Sequence, residues 1–225
     1  MPGDGRSGTS PWSERFCHSG VFKRYRGVQA VVHSHSRDVV AFGVTNVPMK
    51  PMFHLSGFLG DHVPTFDTIN FFDKTETKNL LVNTDKLGAA LASTLSSKTN
   101  NKRASNQLSD YPVTLQRGHG FTACGESVQE AVYHAFYTQE NARIQMAATS
   151  FSTARTGTAG PRVTSLDQDE IAACKVLDKA SVHKAWAYWS RVVEAQALYR
   201  NELQGARDVK AERNYFTRMG GEKES

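Results

Sequence analysis

The 225-residue chain is poor in cysteine: it has three, at positions 17, 124 and 174, and they are widely separated. Three scattered cysteines do not make the disulfide framework of a small secreted domain, so we expect a reducing compartment, the cytosol. The chain also lacks any apolar run of about 18 residues, which predicts that no helix spans a membrane. Residues 1–13 are rich in Gly, Ser and Pro and have no apolar stretch, so we expect no secretory signal there.

Basic residues show no pattern typical of nucleic-acid binding, although the formal net charge is +5. The clearest basic cluster, Lys98, Lys102 and Arg103, lies in a Ser/Asn-rich stretch without the aromatic side chains that stack on bases. The other positive charges lie beside acidic residues along the C-terminal part of the chain, as on a solvated surface. We therefore predict neither a nucleic-acid partner nor a membrane partner.

Strand and helix patterns alternate along the chain, which predicts an α/β fold of three layers. The main domain is expected at residues 12–148, after a disordered N-terminus at residues 1–11. A linker loop is expected at residues 149–164, C-terminal helices at 165–204 and a charged flexible tail at 205–225. With 39% hydrophobic residues, the chain is long enough to bury one substantial core.

Periodicity and capping residues predict the individual elements. Capping boxes are expected at Ser127 with Glu130, opening a helix towards Ala147, and at Ser165 with Gln168. The predicted strands are residues 28–36, 80–82 and 113–121, with a loop and a further short strand within residues 53–67. The remaining predicted helices are residues 18–26, 37–44 and a helix that begins after Asn83 or Thr84 and contains Leu87, Leu91 and Leu95.

Two histidines stand near the end of the first predicted strand. Side chains two residues apart on a strand point to the same face, so His33 and His35 are predicted to lie side by side. Two neutral imidazoles at that spacing can ligate one metal ion at about 2 Å. The same spacing also occurs at half-exposed strand edges that bind nothing, so the pair alone leaves both interpretations open.

Two further residues could complete a metal site. His119 lies at the end of a predicted strand between two glycines, where the backbone can approach a ligand closely. Glu14 lies just before the first predicted helix. Three histidines and a carboxylate with an open position are typical of catalytic rather than structural zinc. The spacing cannot show whether they meet, because 84 positions separate His35 from His119.

The chain resembles the class II aldolase/adducin head-domain family, which includes zinc-dependent fuculose-phosphate and rhamnulose-phosphate aldolases and ribulose-phosphate epimerases. The resemblance covers residues 12–148 and implies a three-layer α/β/α sandwich with C-terminal helices. The matching motifs, in the family's order, are Ser-Glu-Arg-Phe at 13–16, His-Ser-His at 33–35, Arg-Gly-His-Gly-Phe at 117–121, Gly-Glu-Ser at 125–127 and Glu-Ala at 130–131.

The resemblance also implies a role for each site residue. His33, His35 and His119 match the three ligands of Zn²⁺ or another divalent metal. Glu14 matches the carboxylate that ligates the resting metal and then acts as the catalytic acid/base. Ser13 matches one position of the pocket for a substrate phosphate. A lyase of this kind acts on a small hydroxy-carbonyl substrate, sugar or sugar-phosphate-like, through a metal-stabilised enediolate, and epimerisation or decarboxylation can use the same intermediate.

Family members carry about 60–80 residues before the Ser-Glu motif, in keeping with the size of a whole domain. Here residues 1–12 stand in that place, so we expect part of the sheet and of the phosphate pocket to be missing. The alternatives to a lyase are therefore a non-catalytic, adducin-like head that associates with the actin cytoskeleton, or an inactive truncated fragment. The resemblance further implies a homotetramer with its sites between subunits.

Overall fold

The computed structural model describes residue 12 and residues 14–97, 108–153 and 163–199. Two short 3₁₀ helices, Gly57–Leu59 and Thr68–Asn70, lie within them. The helices and strands of these residues are, in chain order, α1 (Arg15–Arg24), β1 (Ala30–Ser34), α2 (Arg37–Gly43), β2 (Thr65–Phe66), α3 (Asp85–Thr94), β3 (Val113–Gln116), β4 (Gly120–Gly125), α4 (Val128–Thr153) and α5 (Gln168–Glu194).

The four strands form one mixed sheet in the order β1-β4-β3-β2. Strand β4 pairs antiparallel with both β1 and β3, and the short β2 pairs parallel with β3. In this register His33 lies opposite Thr122, which in turn lies opposite Thr114. Because residues directly opposite each other on neighbouring strands point to the same face, the side chains of these three residues lie on one face of the sheet.

Helices cover both faces of the sheet. On one face, α1 and α3 pack against each other and bury Cys17, Val21, Leu87 and Leu91 in a core that includes Cys124 of β4. Helices α2 and α4 pack against each other and against β1, β3 and β4. The arrangement confirms the predicted three-layer α/β/α sandwich.

Two glycines let α1 and α3 approach each other closely. A Cβ atom built on Gly20 would lie 2.2 Å from the carbonyl oxygen of Gly88, and one built on Gly88 would lie 2.4 Å from the carbonyl oxygen of Phe16. No side chain fits between backbones at these distances. This contact fixes α1, and therefore the residue that precedes it, against the rest of the layer.

Several helices are found at the positions predicted from the sequence. Helix α2 matches residues 37–44, and Thr84 caps α3 by accepting a hydrogen bond from Leu87 N at 3.2 Å. Ser127 Oγ accepts one from Glu130 N at 3.1 Å at the start of α4. Helix α4 then continues beyond Ala147 to Thr153, into the stretch expected as a linker.

The predicted strand at residues 80–82 was wrong. Leu80 has a φ of +65°, which no strand accommodates, and the segment has no strand structure. Val82 is fully buried in the core beside α3, so its apolar character reflects core packing and not sheet pairing.

The predicted strand at residues 113–121 was also wrong, because it is a hairpin of β3 and β4. Gly118, with a φ of +67°, reverses the chain between them, so His119 lies in a turn and not at a strand end.

The predicted bounds of two helical regions also differ from the structure. Helix α1 begins at Arg15, three residues before the predicted start at residue 18. One continuous α5 replaces the two predicted C-terminal helical segments, and its capping box pairs Asp167 with Glu170 instead of Ser165 with Gln168.

The chain divides into two compact units, Met1–Ala185 and Trp186–Ser225. In the second unit, the described residues are the last turns of α5 and residues 195–199. None of the helices in the described part of the chain combines the length and the hydropathy that a membrane span requires. The predicted disordered N-terminus at residues 1–11 and the charged tail at 205–225 lie outside the described residues.

Candidate metal centre

Glu14 occupies the position immediately before α1, and its residue surface is 8% exposed. Its carbonyl oxygen accepts a hydrogen bond from Cys17 N at 3.0 Å, which anchors the residue to the first turn. One carboxylate oxygen, Oε1, lies 2.7 Å from His119 Nε2, 3.3 Å from His35 Nε2 and 3.5 Å from His33 Nε2. A single carboxylate oxygen therefore contacts all three imidazoles.

His33 and His35 come from the end of β1, His33 within the strand and His35 one residue beyond it. Their Nε2 atoms lie 3.0 Å apart. The side chain of His33 is only 3% exposed, and its Nδ1 lies 3.0 Å from the carbonyl oxygen of Phe121 on β4. The side chain of His35 is 58% exposed, so the cluster is open to solvent on the His35 side.

His119 approaches from the β3–β4 turn. Its Nε2 lies 3.0 Å from His35 Nε2, and its Nδ1 lies 3.0 Å from the carbonyl oxygen of Leu80. A carbonyl oxygen can only accept a hydrogen bond, so the Nδ1 atoms of His33 and His119 both carry the proton. Their Nε2 atoms face the centre of the cluster, where each could present a lone pair to a bound metal ion.

Two polar residues on the sheet lie beside His33, and neither was predicted from the sequence. The amide of Gln116 donates to Thr122 Oγ1 at 2.7 Å and lies 3.1 Å from His33 Nδ1. Gln116 and Thr122 are both essentially buried. The signal that could have found them is a polar residue inside an otherwise apolar strand, since a buried amide needs a partner.

The protonation states of the cluster suit metal binding. Burial lowers the pKa of His33 to about 4, so its imidazole is neutral at pH 7. Burial by itself would raise the pKa of Glu14, but attraction to His33 and the hydrogen bond to His119 outweigh it, and the pKa lies below the usual value. Glu14 is therefore ionised at pH 7, as a metal ligand must be.

The residues fit a divalent metal. The Glu14 oxygen and one nitrogen from each of His33, His35 and His119 all lie within 4.8 Å of one another. Ligands at about 2.0–2.1 Å from a tetrahedral ion lie about 3.4 Å apart, close to the separations of 2.7–3.5 Å seen here. Three imidazole nitrogens and one carboxylate oxygen are a set that Zn²⁺ and other divalent transition metals accept.

The remaining predicted site residue, Ser13, lies outside the described residues. The structure brings Glu14, His33, His35 and His119 together, which their spacing in the sequence could not show.

Comparison with curated proteins places decarboxylases among the relatives. The chain is 40% identical over 190 residues to the decarboxylase tropJ of Talaromyces stipitatus, covering 84% of this chain and 70% of that protein. It is 24% identical over 154 residues to a 3,4-dihydroxyphthalate decarboxylase of Rhodococcus jostii, covering 66% of this chain and 54% of that protein. The chain thus spans about half the length of the latter relative.

Solved structures of low sequence identity share the fold. The L-fuculose 1-phosphate aldolase of Glaciozyma antarctica superimposes with a TM-score of 0.60 at 18% identity, covering 89% of this chain and 67% of that one. An aldolase II superfamily protein from Pseudomonas syringae gives a TM-score of 0.56 at 21% identity, covering 80% of this chain and 62% of that one.

The model of the class II aldolase and adducin N-terminal domain matches residues 2–146, more than half of the chain. The matched range contains the whole Glu14–His119 cluster together with the sheet and the helices that position it. The chain belongs to the class II aldolase/adducin family.

Proposed function

We propose that the protein is a metal-dependent lyase that removes CO₂ from a small hydroxy-substituted carboxylate. The observation that carries this proposal is the convergence of Glu14 Oε1 with the Nε2 atoms of three histidines, within 4.8 Å of one another. A scaffold domain needs the fold but not the ligands, so the cluster favours chemistry over an adducin-like role in the actin cytoskeleton.

The curated relatives favour decarboxylation over aldol cleavage. The relative at 40% identity is named a decarboxylase, and the others are named for 3,4-dihydroxyphthalate. The fuculose-phosphate aldolase supports the fold alone, at 18% identity. Decarboxylation and aldol cleavage both break a carbon–carbon bond and leave an electron pair beside an oxygen-bearing carbon, so one site can serve either reaction.

The four residues of the cluster have different proposed roles. His33, His35 and His119 would hold the divalent ion, Zn²⁺ or another, and Glu14 would complete the resting ligand set. When bound, the ion supplies a positive charge that polarises the substrate oxygen and offsets the negative charge that develops as the bond breaks. The open side at His35 gives the substrate its approach.

Glu14 is the proposed catalytic acid/base. Loss of CO₂ leaves a carbon that must gain a proton, and Glu14 is the one acidic side chain among the cluster's four residues. Its carboxylate, ionised in the resting site, would first accept the proton of the substrate hydroxyl and then deliver that proton to the carbon that has lost CO₂. Ser13, next to it in the chain, is proposed to contact the substrate.

The wider predictions follow the family. We propose residues 12–148 as the catalytic domain, followed by a linker at 149–164 and helices at 165–204, and a homotetramer that acts in the cytosol. Aldehyde-lyase activity, the sequence-based prediction, is the second outcome that the assay below distinguishes.

The test is a paired assay on purified protein. Metal-stripped protein is reloaded with Zn²⁺, Mn²⁺ or Co²⁺ and offered 3,4-dihydroxyphthalate or L-fuculose 1-phosphate, while released CO₂ and released aldehyde are measured separately. We expect metal-dependent CO₂ release from the hydroxy-carboxylate. Aldehyde release alone would identify an aldolase, and a folded protein that binds no metal would overturn the proposal.

A further inference from the structure

Different parts of the fold hold the imidazoles of His33 and His119. His33 Nδ1 lies against Phe121, in the strand next to its own. His119 Nδ1 lies 3.0 Å from the carbonyl oxygen of Leu80, in the loop that precedes α3. The tautomer of His119 therefore depends on a loop outside the sheet.

Leu80 has an unusual backbone conformation. Among the described residues it alone, apart from glycines, has a positive φ, of +65°. A leucine in this left-handed region brings its Cβ close to the following carbonyl oxygen, so the conformation persists only where surrounding contacts enforce it. Such outliers cluster at functional sites, and this one points its carbonyl oxygen at a residue of the candidate metal centre.

Neighbouring residues enforce the conformation of Leu80. Asn79 Oδ1 accepts a hydrogen bond from Leu81 N at 3.1 Å and so bridges Leu80, as the side chain does in an Asx turn. Asn79 N donates to the carbonyl oxygen of Thr77 at 2.9 Å. On the other side, Val82 is fully buried in the core.

The beginning of the loop is tied to α3. Lys86 Nζ donates to Asp73 Oδ2 at 2.8 Å and to Glu76 Oε2 at 3.0 Å. Glu76 Oε2 also accepts a hydrogen bond from Asp73 N. Exposed ion pairs contribute little stability individually, but this network closes the loop at one end while the core closes it at the other.

We propose that Leu80 is a positioning residue, whose carbonyl oxygen in a left-handed backbone conformation accepts the Nδ1 proton of His119 and so fixes the orientation of its ring. In this orientation Nε2 of His119 faces the metal position. The effect on metal affinity rests on the proposed function, whereas the effect on Nδ1 does not. Loss of the hydrogen-bond partner of a metal-binding histidine typically lowers metal affinity by about 10–100-fold.

The discriminating pair of variants is Leu80→Val and Leu80→Asn. Valine keeps an apolar side chain but disfavours positive φ, and asparagine loses the apolar side chain but adopts positive φ readily. The Leu80 side chain also lies over Gly118, since a Cβ on Gly118 would come within 3.2 Å of Leu80 Cδ1. If that packing were what mattered, valine would be the milder substitution.

Two measurements are made on each full-length variant. The histidine tautomer is determined by NMR of the metal-free, [¹⁵N]histidine-labelled protein, with His119 assigned by comparison with His119→Asn. The affinity for Co²⁺ is measured by its visible absorption. Asn79→Ala is a second variant for weakening the conformation, and circular dichroism confirms that each variant is folded.

We expect a proton on His119 Nδ1 in the wild type and in Leu80→Asn, and its loss from Nδ1 in Leu80→Val. Cobalt affinity should fall about 10–100-fold in Leu80→Val and less in Asn79→Ala. An Nδ1 without a proton in the wild type, or the reverse order of the two Leu80 variants, would overturn the proposal. The expected Nδ1 results without any cobalt binding would support the positioning role and overturn the proposed function.

Discussion

Glu14 Oε1 lies 2.7 Å from His119 Nε2, although 105 positions separate the two residues in the chain. The contact joins the start of α1 to the β3–β4 turn, across the end of β1 that carries His33 and His35. Each of the four residues lies near the end of a helix or strand or in a turn. A rigid strand or helix therefore fixes its backbone, while its side chain stays at the edge of the sheet. The cluster is therefore fixed in position and still reachable from solvent.

Glu14→Gln separates metal binding from proton transfer. The amide keeps an oxygen ligand but cannot accept and return a proton, so bound metal should remain near the wild-type level. Turnover should fall by about 10²–10⁴-fold. Metal content by elemental analysis and kcat from CO₂ release are the two measurements. Glu126→Gln, the same substitution at an exposed site, is the matched control and should leave both unchanged; full activity in Glu14→Gln would remove Glu14 from catalysis.

Loss of any one imidazole should empty the metal site. His33→Ala, His35→Ala and His119→Ala each remove one of three nitrogen ligands, and we expect metal content to fall from about one ion per chain to a small fraction of that. His62→Ala is the matched control, because His62 is exposed and lies outside the cluster. Equal metal content in all four variants, measured by elemental analysis, would place the metal elsewhere.

Asp178 should make the stability of the protein depend on pH. It is buried on α5 and accepts hydrogen bonds from Tyr133 Oη and Phe58 N, both at 2.9 Å. Burial raises the pKa of Asp178 to about 6, above its value of about 4 in the unfolded chain. The folded state holds this proton to higher pH, so the free energy of unfolding should fall as pH rises from about 4 to about 6 and level off above.

Asp178→Asn isolates this effect, since asparagine does not titrate. Relative to the variant, the wild type should lose on the order of 2–3 kcal/mol of unfolding free energy between pH 4 and pH 7. Urea unfolding at a series of pH values measures the difference. Parallel curves for the two proteins would show that Asp178 keeps an ordinary pKa in the fold.

Gly20→Ala tests the close packing of α1 on α3. Alanine favours a helix by about 1 kcal/mol over glycine, but here its Cβ would lie 2.2 Å from a backbone oxygen of Gly88. The steric clash should outweigh the gain in helix propensity, because the backbone of α3 cannot move away without losing packing contacts. We therefore expect the free energy of unfolding to fall by about 1–3 kcal/mol. The urea midpoint measures it, with Ala89→Ser on the exposed side of α3 as control. An unchanged or higher midpoint would show that the helices separate at little cost.

The sequence predicted those parts of the fold that depend on local rules. Thr84 caps α3 and Ser127 caps α4, because their side-chain oxygens accept hydrogen bonds from amides three residues further on, a relation visible in the sequence. The β3–β4 hairpin was missed because its reversal depends on the positive φ of Gly118, which the sequence permits but does not require. Val82 was assigned to a strand because an apolar residue looks alike in a strand and in an irregular core segment.

The sequence by itself determined the chemistry that this protein can offer: three imidazoles, one carboxylate and the motifs that place them in the class II aldolase/adducin family. The tertiary structure decided that Glu14, His33, His35 and His119 meet within 4.8 Å, and that the carbonyl oxygens of Phe121 and Leu80 face Nδ1 of His33 and His119. Local pattern reflects contacts between residues close in the chain. The site depends on the packing of α1 and the register of the sheet, which arise only when distant segments bury their apolar faces together.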